Sequence, residues 1–124
     1  MAPSELRPVE WVGSSYKDFV SFPDPVQHAM GYALYLAQTG RMHLSARPLK
    51  GFGGAGVVEV VEDDERGTYR AVYTVKLESA IYVLHAFQKK SKKGIKTPRE
   101  EIELVRSRLR TAEEDDLARR RGSP

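Results

Sequence analysis

Val57-Val58-Glu59-Val60-Val61 runs into Glu62-Asp63-Asp64-Glu65-Arg66-Gly67 and then into Thr68-Tyr69-Arg70-Ala71-Val72-Tyr73-Thr74-Val75-Lys76-Leu77. β-branched and aromatic residues on either side of a polar turn closed by glycine read as a β-hairpin. Glu78-Ser79 turns the chain again, and residues 80–89 (Ala-Ile-Tyr-Val-Leu-His-Ala-Phe-Gln-Lys) supply a third strand. Three consecutive strands joined by short turns predict an antiparallel meander.

On the N-terminal side, Val9-Glu10-Trp11-Val12-Gly13 reads as a short first strand that adds at an edge of the sheet. Ser15 and Asp18 resemble a capping pair for a short helix carrying Tyr16, Phe19 and Val20, which Pro23 ends. Asp24-Pro25 supplies a cap and a first-turn proline for a second helix. Its apolar residues Val26, Ala29, Met30, Ala33, Leu34 and Ala37 recur at spacings of three and four, and Gly40 closes it. Residues 41–56 have no periodicity but contain Arg41, His43, Arg47 and Lys50 among prolines and glycines, which predicts a basic loop of functional length. On the C-terminal side, Thr97-Pro98-Arg99-Glu100 reads as cap, first-turn proline and capping box, and Ile102, Val105, Leu109 and Ala112 form the apolar face of a last helix. The expected fold class is α+β in the order β-α-α-β-β-β-α, a small antiparallel sheet covered by helices on one face. Residues 1–112 are expected to form one domain, and the charged residues 113–124 a disordered tail.

At 124 residues the chain suffices for one core without a metal or a disulfide. It has no cysteine, which excludes thiolate catalysis and cysteine-ligated zinc, and His28, His43 and His85 show no ligand spacing, so no metal or cofactor is expected. No run of 18 apolar residues and no apolar core near the N-terminus occurs, giving the expectation of a cytoplasmic protein with no membrane association. The formal net charge is only +3, but the signs are segregated. Between Lys89 and Arg99 there are six basic residues (Lys89, Lys90, Lys92, Lys93, Lys96 and Arg99) and no acid. Such a field at the end of a buried strand favours a polyanion; the bland reading is a solvated lysine loop.

Alternation places Arg70, Val72 and Thr74 on one face of their strand, with Tyr69, Ala71, Tyr73 and Val75 on the other. An arginine at that central position is either paired with an acid such as Glu59 or left facing a ligand. In the last strand Tyr82, Leu84, Ala86, Gln88 and Lys90 should share one face, and Ile81, Val83, His85, Phe87 and Lys89 the other. His85, between Leu84 and Ala86, is either a hydrogen-bonded core histidine or a base. Gly51-Phe52-Gly53-Gly54-Ala55-Gly56 lacks a following Lys-Ser/Thr and reads as a loop rather than a nucleotide-phosphate cradle.

Pro48-Leu49-Lys50-Gly51, Gly67-Thr68-Tyr69-Arg70-Ala71-Val72-Tyr73, and His85-Ala86-Phe87-Gln88-Lys89-Lys90 with Lys96-Thr97-Pro98, in this order, resemble the RelE/ParE superfamily of type II toxins, in its phage-derived, HigB-like branch. The resemblance covers about residues 9–112. It implies a RelE-like fold and a toxin that enters the ribosome and cuts mRNA, held silent by a cognate antitoxin. In that branch the antitoxin commonly carries a helix-turn-helix domain, so operator DNA would be reached only through it. The implied chemistry is attack of a ribose 2′-hydroxyl on the adjacent phosphate, a reaction that needs no metal.

Under this resemblance Arg70 would stabilise charge on phosphorus, Lys90 beside Lys89 would bind the scissile phosphate or protonate the leaving oxygen, and Lys50 and Arg47 would hold RNA backbone. Lys92, Lys93 and Lys96 would add phosphate contacts. His85 and Tyr73 are the candidate bases, with His43 a third. The chain departs from the superfamily pattern at Glu59-Val60-Val61, where typical members carry basic residues. Two alternatives remain: a ParE-like poison of DNA gyrase, and a non-catalytic nucleic-acid-binding protein derived from a toxin.

Overall fold

The computed structural model describes residues 6–89 and 97–122. In chain order the elements are β1 (Val9–Trp11), α1 (Ser15–Phe19), α2 (Asp24–Gln38), β2 (Ala46–Pro48), β3 (Val57–Asp64), β4 (Gly67–Thr74), β5 (Ile81–Lys89) and α3 (Arg99–Gly122). The strands form one sheet in the order β1-β5-β4-β3-β2. The meander expected from the sequence is β3-β4-β5, antiparallel throughout.

β3 and β4 meet around Glu65-Arg66. There the Asp64 carboxylate accepts both the Arg66 backbone N–H and its Nε–H at 2.9 Å. Gly67 leaves that turn at φ 143°, a backbone conformation that L side chains rarely adopt, which is why glycine stands there.

Two features of the sheet differ from expectation. β1 lies at the edge, but it runs parallel to β5, with Val9 beside Ile81 and Trp11 beside Val83, so the sheet is mixed. The loop at residues 41–56 contains an extra strand, β2, antiparallel to β3 and ending in Pro48. Three residues with a proline carry no readable period, and proline is tolerated because β2 is the outer strand.

The helices cover both faces of the sheet, not one. Phe19, Phe22, Val26, Met30, Ala33, Leu34 and Ala37 from α1, α2 and their junction pack on Val58, Val60, Tyr69, Ala71, Tyr73, Ile81, Val83 and Ala86. On the opposite side Val105, Leu109 and Ala112 of α3 pack on Val57, Val72, Tyr82, Leu84 and Phe87, joined by Leu49 and Phe52 from the loop after β2. The physical reason is visible in β5. Ile81 through Phe87 is apolar at every position except His85, and all seven are buried, so both of its faces need cover.

α3 is also longer than expected. It continues to Gly122, and residues 113–122, expected to be disordered, are helical. Asp116 ties that end down. Its carboxylate accepts the Ser79 backbone N–H at 2.7 Å and pairs with Arg120 at 3.1 Å, and the residue is only 2 % exposed. An acid run read as solvated thus contains a buried anchor. Among the described residues no helix is long and apolar enough to cross a membrane, and no group of metal-ligating side chains is found.

A β-bulge in β5 sets the geometry of everything that follows. Ala71 lies opposite Ala86 and Val72 opposite His85, but Tyr73 lies opposite Val83, which leaves Leu84 as the extra residue. Strict alternation through β5 therefore fails. Ile81 and Val83 share their face with Ala86, and Tyr82 and Leu84 share theirs with Phe87. His85 is carried to the α3 face, the face of Arg70.

Candidate functional site

The α3 face of the sheet gathers the polar groups of the chain's interior. Arg70 lies opposite Val61 on β3 and Phe87 on β5, and Val72 lies between Glu59 and His85. Arg70 is 4 % exposed. It donates from Nη1 to both Glu59 carboxylate oxygens, at 3.0 and 3.2 Å, and to the Thr97 hydroxyl at 3.1 Å. Thr97 in turn donates to Glu59 at 3.1 Å. Of the two readings open for Arg70, the structure takes the acid-paired one. The Thr97 hydroxyl expected to cap α3 is instead the third member of this triangle. Glu59, met in the sequence as a departure from a basic strand, is the charge that makes a buried arginine tolerable.

Two residues after Thr97 α3 begins, and its first turn brings Glu101 over β5. Glu101 Oε1 lies 2.5 Å from His85 Nε2. His85 is 5 % exposed and stacks on Phe87 with ring centroids 4.9 Å apart, while the Glu101 side chain remains about a third exposed, at 31 %. The other ring nitrogen, His85 Nδ1, is buried with no hydrogen-bond partner among the described residues. The ring is thus addressed by one carboxylate from its Nε2 side. That carboxylate is the part of the pair that solvent reaches.

The pair lines an open cleft of about 340 Å³ with Asp18, Ser21, Phe22, Tyr69, Phe87 and Gln88 among its walls. The cleft exists because β1 pairs with Ile81, Tyr82 and Val83 only, so the chain opens beside the remainder of β5. Lys89, opposite Thr68, closes the described part of that strand.

The remaining sequence candidates separate. Tyr73 is removed from the set: it is fully buried in the α1–α2 core, on the sheet face away from Arg70. Burial pushes its phenol up to about 12, and its hydroxyl has no hydrogen-bond partner among the described residues. Lys50 is exposed in the turn after β2, and Arg47 is exposed on β2 opposite Glu59. His43 lies outside the cleft, beside α2, where its Nδ1 accepts the Ser45 backbone N–H at 2.9 Å. Lys90, Lys92, Lys93 and Lys96 lie outside the described residues.

Glu101 is the site residue that sequence reading missed. It stood among the acids of a helix start, and its only signal was its place one turn after the Thr97-Pro98 boundary. Chemically the cluster is a histidine–carboxylate pair that can take up and release a proton. The Arg70-Glu59-Thr97 triangle behind it fixes where α3 begins.

Residues 17–110 match the family described as phage derived protein Gp49-like (DUF891). The matched segment contains the sheet meander, the triangle and the His85–Glu101 pair, and the chain belongs to this family. The description of this family as phage-derived agrees with that part of the sequence reading. Among solved structures, a chain of the toxin–antitoxin complex RelBE2 from Mycobacterium tuberculosis is similar at 17 % identity. The similarity covers 68 % of this chain and 93 % of that one, with a TM-score of 0.45. Among curated protein sequences none matches.

Proposed function

We propose that this chain is the toxin of a type II toxin–antitoxin pair and acts as a ribosome-dependent endoribonuclease on mRNA. The observation that carries the reading is the His85–Glu101 pair, 2.5 Å apart, on the wall of an open cleft at the end of a strand that leads into a lysine-rich segment. Membership of a phage-derived family and the sequence resemblance to RelE-type toxins support it.

In this mechanism an RNA backbone lies in the cleft with its phosphates toward the strand end. The 2′-hydroxyl proton passes to the His85–Glu101 pair as the 2′-oxygen attacks the adjacent phosphorus. The bond to the 5′-oxygen breaks, leaving a 2′,3′-cyclic phosphate on one fragment and a 5′-hydroxyl on the other. A lysine of the strand-end run, Lys89 or Lys90, protonates that leaving oxygen. No metal is required by these steps. Arg70 acts as a positioning residue: its Nη1 donates to Glu59 and Thr97, so it sets the start of α3 and thereby the approach of Glu101 to His85. This replaces the direct phosphate contact expected of it from the sequence.

The partner in the idle state is an antitoxin encoded beside it, carrying a helix-turn-helix domain through which operator DNA is bound. An acidic and apolar segment of that antitoxin would complement the lysines at the strand end. The compartment is the cytoplasm, where ribosomes are met.

The test is 5′-end mapping of mRNA in a translating extract with the purified chain, and with His85→Gln as control. New ends that require ribosomes and disappear with the control are expected. Intact mRNA together with inhibited gyrase supercoiling would replace this reading by a gyrase poison. One observation favours a non-catalytic nucleic-acid-binding protein, namely that the Arg70 charge is already matched by Glu59. Salt-sensitive RNA binding without cleavage is what that reading requires.

A further inference from the structure

The outer surface of α2 presents aromatic rings that no core uses. Tyr32 and Tyr35 are about half exposed and stack on one another with centroids 6.5 Å apart at 24°. His43, from the loop that follows, meets Tyr32 edge-on at 5.8 Å. Its Nδ1 accepts the Ser45 N–H, which fixes the orientation of the ring. Met42 and Leu44, flanking His43, are exposed as well.

The segment that carries these rings is one-sided in charge. From Pro25 to Val58 the chain contains no aspartate or glutamate, while Arg41, two residues before His43, is cationic and exposed. The patch is also separate from the cleft. Tyr32 stands ten residues beyond Phe22, a cleft residue, which along a helix is roughly 15 Å.

We infer that the Tyr32–Tyr35–His43 surface, with Arg41, is a second RNA-binding site that takes unpaired bases by stacking. Exposed rings with fixed geometry accept the π-face of any base, and neighbouring cations hold the backbone without reading sequence. A duplex keeps its bases stacked inside, so the surface should favour single strands and loops. An acidic protein segment is the competing occupant; the ring pairing and the fixed histidine favour bases over an irregular apolar partner. The inference stands apart from the cutting reaction, because binding here needs neither His85 nor Glu101.

The experiment measures fluorescence anisotropy of a labelled 12-nucleotide single-stranded RNA and of a duplex of equal length, using the full chain with His85→Gln so that the RNA stays intact. The single strand is expected to bind more tightly. The Tyr32→Ala/Tyr35→Ala variant should weaken single-strand binding about tenfold or more, while Tyr32→Phe/Tyr35→Phe retains it, since stacking survives loss of the hydroxyls. Arg41→Ala should weaken both probes and flatten the salt dependence. Circular dichroism melts of each variant keep a folding defect from passing as a binding defect. Unchanged single-strand affinity in the alanine variant overturns the inference, and if that variant also fails to hold a co-expressed acidic partner, the patch is a protein-binding surface. RNA bound through the tyrosines, together with intact mRNA when the unsubstituted chain is added to a translating extract, would sink the nuclease reading and leave this one standing.

Discussion

Arg70 and Glu59, eleven residues apart in sequence, form a buried ion pair at 3.0 Å whose geometry is closed by the hydroxyl of Thr97. The pair joins β4 to β3, and through Thr97 it joins the sheet to the start of α3. A charge that looked poised for a ligand in the sequence is a structural hinge point in the fold.

Removing one partner of such a pair leaves the other buried and unmatched. Arg70→Ala should therefore destabilise the protein by about 3–5 kcal/mol, and the double variant Arg70→Met/Glu59→Leu should recover most of that loss. Urea unfolding of the two variants measures it. If Arg70→Ala is as stable as the parent yet cuts no RNA, Arg70 acts on substrate and not on α3.

Glu101→Gln keeps a side chain of the same shape beside His85 but cannot take up a proton. It should lower cutting by about 100-fold or more with little change in melting temperature, and His85→Gln should do the same. Single-turnover cleavage on programmed ribosomes separates the chemical step from binding. Equal cutting by parent and Glu101→Gln would leave the pair with a purely structural role.

Tyr73 provides the contrast. Its phenol is buried without a hydrogen-bond partner among the described residues and is pushed up to about 12 by that burial. A folded-state value above the ordinary 10.0 means that its contribution to stability is intact below pH 10 and is lost as pH rises toward 12. Tyr73→Phe should leave cutting unchanged, raise stability at neutral pH by about 1 kcal/mol by deleting a buried unsatisfied hydroxyl, and weaken the alkaline loss. Alkaline melts and a cleavage assay on the one variant test all three.

Asp116 governs the last turns of α3. Burial opposes its charge, but the hydrogen bonds from Ser79 and the Arg120 guanidinium outweigh it and hold the carboxyl below its ordinary 3.8. A lowered value places its stabilisation above the ordinary value, to be lost as pH falls below 3.8. Protection factors across residues 113–122, with the intrinsic exchange rate at each pH divided out, should fall on acidification from about pH 5 to pH 3, and Asp116→Asn should show low protection at both. Protection that does not respond to pH in the parent would show that the end of α3 is held by something other than this carboxylate.

Much of the fold is written in local signals. The three-strand meander follows from β-branched runs broken by the Glu62–Gly67 turn. α2 follows from a period of three to four closed by Gly40, and α3 from a proline-marked start and one apolar face. These are properties of short windows, set by backbone preference and by which side chains avoid water, so a linear reading finds them. The faces of β4 were legible for the same reason. Arg70 and Val72 share one and Tyr69, Ala71 and Tyr73 the other, because that strand alternates without interruption.

The site lay beyond that reading because each of its pairings joins distant parts of the chain. A bulge at Leu84 has no local signature, yet it moves His85 to the face of Arg70. Glu101 meets His85 only because α3 covers the second face of the sheet, and α3 starts where it does because Thr97 is held by Arg70 and Glu59. Likewise Asp116 reads as one solvated acid among several until Ser79 is folded against it. The sequence by itself determined the three-strand meander, the helix α2, the start of α3, the phage-derived character of the family and where positive charge accumulates. The tertiary structure alone decided which charges neutralise one another and which pair faces the cleft, since those depend on register and on contacts across the sheet, where one inserted residue changes the partner.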